Sequence, residues 1–276
     1  MELKEKLFSE NYGNYKNIKL NSILKCAEDA AKLAGDYALK NKKRRNETIK
    51  RFKHDVKLAL DRECQKIVSR EINKKFPSHH ILGEEDEEHK IASDNSFWII
   101  DPIDGTVNFS HGIPFWCCSV AYTYQGAIVA GAVYAPELKR LYSATIKSKA
   151  KCNGELLAIS NTNNIEKTIV LTGLDKKEEN WGGNFRRLKT LAIKTQKVRI
   201  LGSAALDICF VASGLADCYF ENYVYLWDVA AAGLILKQAG GCCKILKYNP
   251  ATHQLSFIAT NRNLYKNFLK LIQNNP

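Results

Sequence analysis

Apolar residues recur at helical spacing through Ile23, Leu24, Ala27, Ala30, Ala31, Ala34 and Tyr37. That period predicts an amphipathic helix over residues 22 to about 40, with Asn21 or Ser22 as its cap. Cys64, Ile67, Val68 and Ile72 mark a second helix, opening near Asp61 and closing before Pro77. Residues 41–53 between them are basic and poor in apolar side chains, so they read as a loop or hairpin, and residues 1 to about 20 read as polar and irregular. The period then changes. Phe97-Trp98-Ile99-Ile100 is a short continuous apolar run of the kind that forms a buried strand. Residues 118–124, 127–134 and 140–146 follow as strands, with turns at Gln125-Gly126, Ala135-Pro136-Glu137 and Asn153-Gly154, and Asn-Gly is a strong hairpin signal. The result is an antiparallel meander.

From Thr168 the texture alternates. Residues 168–172, 198–201, 217–220 and 243–246 read as strands. Residues 186–194, 203–213 and 227–239 read as helices, the last ended by Gly240-Gly241, with a terminal helix over 263–273. This pattern predicts a layered α/β (α+β) protein. No repeat, low-complexity tract or Pro/Gly-rich linker divides the chain. The expectation is one domain over 1–276, its N-terminal α+β half (about 1–160) packed against a C-terminal α/β half (about 161–276).

Composition narrows the class. With 45% hydrophobic and 25% charged residues, the chain has the profile of a soluble globular protein. No apolar run approaches the roughly 18 residues a membrane span requires. Met1-Glu2-Leu3-Lys4-Glu5-Lys6 lacks the apolar centre of a signal peptide, so a cytoplasmic location and no membrane partner are expected. Nine scattered cysteines without any C-x-x-C spacing indicate reduced thiols rather than a disulfide framework or a zinc site. The formal charge is +12, from 41 Lys+Arg against 29 Asp+Glu. Such an excess suits a solvated basic face, a nucleic-acid contact, or the steering of an anionic substrate.

The candidate chemistry centres on Asp101-Pro102-Ile103-Asp104-Gly105-Thr106-Val107-Asn108-Phe109. Two carboxylates three residues apart sit where the buried strand should end. Carboxylates that close raise one another's pKa unless a cation neutralises them, and hard divalent ions are held by one or two carboxylates plus water and substrate phosphate. Pro102 stiffens the turn, Gly105 permits close backbone approach, and Thr106 offers a hydroxyl. For an isolated D-x-x-D a capped strand-to-helix turn is the preferred reading. Likewise Glu84 opens the acidic run Glu84-Glu85-Asp86-Glu87-Glu88, which alone is a solvated charge run, and Asp228 alone is a first-turn acid favoured by the helix dipole.

Three segments together carry a resemblance. Asp101 to Phe109 resembles the signature of the inositol monophosphatase family, Ile81-Leu82-Gly83-Glu84-Glu85 is similar to its Gly-Glu-Glu segment, and Leu226-Trp227-Asp228-Val229-Ala230 is similar to its Trp-Asp-x-Ala segment. The likeness covers roughly residues 20 to 262. It implies an αβαβα sandwich and Mg²⁺-dependent, lithium-sensitive hydrolysis of a small phosphorylated polyol or sugar, in a homodimer with two or three Mg²⁺ per subunit. The ligands it implies are Glu84, Asp101 and the Ile103 carbonyl for one ion, Asp101, Asp104 and Asp228 for a second, and Glu84 with waters for a third. Thr106 and Glu84 would activate the attacking water, with Asp61 accepting from the Thr106 hydroxyl. The amides of Gly105 and Thr106 would hold phosphate. Gly202, Ala204 and Glu221 match positions that contact ring hydroxyls, and Asp104 and Asp228 belong to the same substrate-contacting set.

Lys50 and Asp55 match polar positions of the family's mobile loop, where Lys57-Leu58 departs from the usual Val-Thr and bears on the third ion. Asn108-Phe109 is similar to the inositol-phosphate branch of the family. The enzymatic alternatives are a fructose-1,6-bisphosphatase or a 3′-phosphonucleotide phosphatase on the same scaffold, by metal-activated water rather than an aspartyl-phosphate. An alternative of another class is an RNA- or transcription-complex-binding protein that uses the +12 charge. It ranks lower, because no aromatic-and-basic RNA motif is present.

Overall fold

The apolar run of residues 97–100 is buried on both faces, and this places it in the middle of the molecule. Trp98 and Ile100 point into one hydrophobic cluster and Phe97 and Ile99 into another, as the two-residue period of a strand requires. The structure is a computed structural model and describes residues 3–9, 18–51, 56–91, 95–174 and 181–274. The run forms the start of β4 (Phe97–Asp104), the second strand of a seven-stranded sheet with β3 (His80–Gly83), β5 (Cys117–Tyr124), β6 (Ala127–Ala135), β7 (Arg140–Thr145), β8 (Lys151–Cys152) and β9 (Glu155–Leu156), in that order. β3 runs parallel to β4 and the remaining pairs are antiparallel. Asn153 and Gly154 both have positive φ, 51° and 90°, the conformation that the tight β8–β9 hairpin needs.

Five layers result. α2 (Leu20–Lys40) and α3 (Ala59–Lys75) cover one face of this sheet. The apolar stripe of α2 is mostly alanine, so the helix lies close to the strands; a Cβ on Gly35 would stand 2.7 Å from the Tyr134 ring. The other face carries α6 (Ala204–Ala212) and α7 (Leu226–Gln238), which pack in turn on a five-stranded sheet. Its order is β11 (Lys197–Arg199), β10 (Ile169–Thr172), β12 (Cys218–Tyr225), β14 (Gln254–Thr260), β13 (Cys242–Tyr248). α5 (Trp181–Lys194) and α8 (Tyr265–Gln273) close the far side. The αβαβα arrangement is the one anticipated. Among the described residues no helix is long and apolar enough to cross a membrane.

Several local expectations need correction. α1 (Leu3–Leu7) lies in the segment read as irregular, and Leu7 is buried in the central cluster. One short turn gives too few residues for a period to show. Asn21 and Ser22 are inside α2, which begins without a side-chain cap. Part of the basic segment pairs as a hairpin, β1 (Thr48–Arg51) with β2 (Val56–Leu58). Asp55 lies outside the described residues, as do the side chains of Lys50 and Lys57. β14 was not anticipated; its buried Leu255, Phe257 and Ala259 alternate with Ser256, Ile258 and Thr260, which are also buried, and burial on both faces blurs the alternation that marks a strand.

Where β6 meets α7, Gly131 brings the two backbones together: a Cβ there would lie 2.8 Å from Ala231 Cα. Gly131→Val is expected to overpack this contact and lower stability by about 1–3 kcal/mol. The check is a lower urea midpoint at unchanged m-value.

Candidate active site and metal centre

The Asp-Pro-Ile-Asp motif is not a turn following the strand, as the sequence suggests; it forms the second half of β4 itself. Asp101 pairs with Ser119 and Asp104 with Cys117, so three steps on β4 face two on β5. This is a β-bulge. In a regular strand, residues three apart point to opposite faces; the extra residue brings Asp104 round toward Asp101. Pro102 sits in this break, where a missing backbone donor does least harm. Gly105 then turns the chain at φ 91° into α4 (Thr106–His111). The turn is enclosed, since a Cβ on Gly105 would stand 3.1 Å from both the Gly202 and Phe115 carbonyl oxygens.

The cluster is electrostatically frustrated without a cation. Asp101 is 2% exposed and its Oδ1 has no hydrogen-bond partner. Burial, then the charges of Glu84, Asp104 and Asp228, push its carboxyl well above the usual range. Asp228 is raised by burial and by Asp104 and Glu84. Burial also raises Asp104, although four groups favour its charge: Ser203 Oγ (2.5 Å), the Ala205 amide (2.8 Å) and Cys117 Sγ (3.6 Å) donate to Oδ2, and the Ala204 amide adds to them. Glu84, Asp101, Asp104 and Asp228 are therefore one group in space, although up to 144 positions apart in sequence.

Each of the other anticipated residues has a definite place. Glu84 follows β3, its amide donating to the Ile100 carbonyl at 3.1 Å. Asp228 stands in the first turn of α7, with Oδ2 accepting from the Tyr225 amide at 2.7 Å. Asp61 repeats that arrangement on α3, where Oδ2 accepts from the Leu58 amide at 2.8 Å. The Thr106 hydroxyl donates to the Ile103 carbonyl at 2.9 Å, and a hydroxyl has one hydrogen to give. Gly202 turns at φ 86° just before α6, and Ala204 opens that helix. Glu221, on β12, accepts from the Tyr219 hydroxyl at 2.9 Å. Its carboxylate lies over Gly173, where a Cβ would come within 1.9 Å of Oε1.

Sequence reasoning missed the residues that hold these in place. Asn108 Nδ2 donates to the carbonyls of Phe115 (2.8 Å) and Leu201 (2.7 Å), tying the motif to the Gly202 turn. Ser203, Cys117, Tyr219 and Gly173 act as just described. Asp207, one turn into α6, is buried with Oδ1 unpartnered, and burial, Glu221 and Asp104 raise its pKa. Ser203 and Asn108 lie within segments that carry the family resemblance, although their bracing roles do not show in it; the others carry no signal without the fold.

The donor set suits a hard cation that keeps part of its water. Among the described residues no three His, Cys, Asp or Glu side chains converge closely enough to enclose an ion unaided. The donors are oxygens, one of them buried and unpartnered on Asp101. This is the mode of Mg²⁺, held by a few carboxylates with water and phosphate completing the shell.

Comparison with known proteins agrees with this geometry. The model of the "Inositol monophosphatase family" matches residues 19–276. The chain is 37% identical over 230 residues to inositol monophosphatase 1 of Bos taurus, covering 78% of this chain and 82% of that one. It is 34% identical over 225 residues to the Nus factor SuhB of Pasteurella multocida, covering 80% and 84%. Among solved structures, the inositol monophosphatase of Anabaena superposes with a TM-score of 0.82 at 29% identity, over 94% of this chain and 98% of that one. Fold, motif and likeness along nearly the whole chain agree: the protein belongs to the inositol monophosphatase family.

Proposed function

We propose that the chain hydrolyses the phosphate monoester of a small polyol or sugar, with inositol monophosphate the leading substrate. The observation that carries this reading is the carboxylate cluster, in which Asp101 and Asp104 are buried, Asp101, Asp104 and Asp228 are raised in pKa, and an oxygen of Asp101 is unpartnered. Such a cluster is stable in its charged form only beside cations, and a phosphate ester brings the remaining oxygens. Glu84, Asp101, Asp104, Asp228 and the Ile103 carbonyl would hold Mg²⁺. When bound, the metal supplies a water of lowered pKa and a counter-charge for the leaving oxygen.

The residues of the chain do the rest. Thr106 orients the attacking water through its hydroxyl, whose hydrogen lies on the Ile103 carbonyl, and Glu84 takes the proton. The first amides of α4 face the phosphate, the arrangement that favours anions at helix starts. Glu221, braced by Tyr219, accepts from a substrate hydroxyl, and a site built this way penalises analogues that lack the hydroxyl. The inositol monophosphatase relatives and the Asn108-Phe109 pair support a polyol phosphate over a bisphosphate or a nucleotide.

Phosphate release from myo-inositol 1-phosphate should require Mg²⁺ and exceed that from fructose 1,6-bisphosphate and 3′-phosphoadenosine 5′-phosphate. Asp101→Asn should lower it by more than about 100-fold, beyond what disturbing the surroundings of a metal costs. Turnover by that variant at the wild-type rate refutes the reading.

The raised carboxyls also set a pH dependence. The folded chain binds their protons more tightly than the unfolded chain does. Metal-free stability therefore falls as pH rises from the ordinary aspartate range, about 3.9, through the raised values. In EDTA the contribution of these groups to Tm should decline as pH rises above about 4. Asp101→Asn should flatten that decline and Mg²⁺ should reverse it; an identical pH slope in the variant counts against the cluster as described.

A further inference from the structure

The carboxylates of the cleft arrive on segments from different sheets. Glu84 follows β3 of the seven-stranded sheet, whereas Asp228 opens α7 just beyond β12 of the five-stranded one. Their separation depends on whatever joins these two segments. Besides the packing of α7 on β4, β5 and β6, one connection runs through a residue with no part in the proposed chemistry. His253, at the turn before β14, is 1% exposed and has φ 58°, a conformation that residues other than glycine seldom adopt.

Three hydrogen bonds converge on His253. Its carbonyl accepts from the Leu226 amide at 3.0 Å, the first residue of α7 and two before Asp228. Its Nε2 lies 2.9 Å from the His89 carbonyl, which can only accept, so Nε2 carries the hydrogen. Nδ1 then accepts from the Tyr248 hydroxyl at 2.8 Å. The His89 ring in turn lies 3.2 Å, through Nε2, from the Glu84 carbonyl. Its centroid is 4.8 Å from that of Trp227, the neighbour of Asp228, and Tyr225 stacks on Trp227 at 4.9 Å and 4°. An unbroken series of contacts thus runs from the Glu84 backbone through His89 and His253 to the start of α7.

We infer that His253 is a positioning residue for the metal centre, its ring and carbonyl together fixing the spacing of Glu84 and Asp228. The inference rests on the reading of the carboxylates as a metal site. Groups that orient ligands in this way commonly alter metal affinity 10–100-fold when removed. The strained backbone fits that role, since strain persists where the surroundings over-determine it.

His253→Asn tests the inference, because Asn tolerates positive φ and keeps the carbonyl bond to Leu226 while losing the reach to His89. Mn²⁺ binding to the full chain is measured by titration calorimetry without substrate, alongside Mg²⁺ activation of phosphate release. The variant should bind Mn²⁺ about 10–100-fold more weakly and need correspondingly more Mg²⁺ for half-maximal rate, with KM for substrate and kcat at saturating Mg²⁺ near wild type. A lower Tm with unchanged Mn²⁺ affinity, the signature of a purely structural role, overturns it. Should His253→Asn fail to fold, His89→Gln at the partly exposed middle of the series is expected to show the same weakening, and wild-type affinity there overturns it equally. Asp101→Asn separates the two levels. If Mn²⁺ binds that variant and the wild type alike, the metal-site reading falls; if Asp101→Asn loses the ion and His253→Asn retains it, only the positioning role falls.

Discussion

Mutual repulsion among buried carboxylates is the constraint to which the rest of this molecule answers. Burial disfavours the charged form of each acid, and each charge disfavours the next. A chain that gathers Glu84, Asp101, Asp104 and Asp228 must hold them against forces that drive them apart or neutralise them. Geometry imposed from outside the cluster does this, and it explains why so many neighbouring side chains serve as braces. Asp104 has Ser203, Cys117 and the Ala205 amide on one oxygen. Asp228 has the Tyr225 amide. The braces leave one oxygen open, Asp101 Oδ1, which is buried without a hydrogen-bond partner.

The braces share a design. Asp61 and Asp228 each stand in the first turn of a helix, returning one oxygen to an amide just before it, and Asp104 receives its amide from the first turn of α6. Helix starts carry unsatisfied N–H groups and a partial positive charge, so those of α6 and α7, which donate to Asp104 and carry Asp228, temper the repulsion. The ordinary structural reading of Asp228, a first-turn acid, is compatible with its proposed role as a ligand, because the Tyr225 amide engages only one of its two oxygens.

How much of this was legible depended on how local the signal was. Helices with a one-sided apolar stripe, such as α2, could be read directly, because burial on a single face leaves a period. β14 could not, since a strand enclosed on both faces loses its alternation. The short nine-residue motif points to the family but not to its own conformation: Asp101-Pro102-Ile103-Asp104 remains paired through a bulge, a feature that exists only once β5 lies alongside. The bracing roles of Asn108, Tyr219 and His253 are hidden for the same reason. Their partners lie at Leu201, Glu221 and His89, and a hydrogen bond between distant residues leaves no mark on spacing.

The middle layer has a consequence of its own. α6 and α7 both begin at the cleft and then run, buried along almost their whole length, between two sheets. A helix pair walled in on both sides has no free surface over which to slide or roll, so the inner wall of the cleft is the part of the molecule least able to breathe. Accommodation of differently shaped molecules then falls to the rim, where β12 breaks register between Glu221 and Val224 and Tyr223 is forced to φ 63°. Change in what the cleft admits can accumulate at that irregular edge while the floor, and the spacing of its charges, stays as it is.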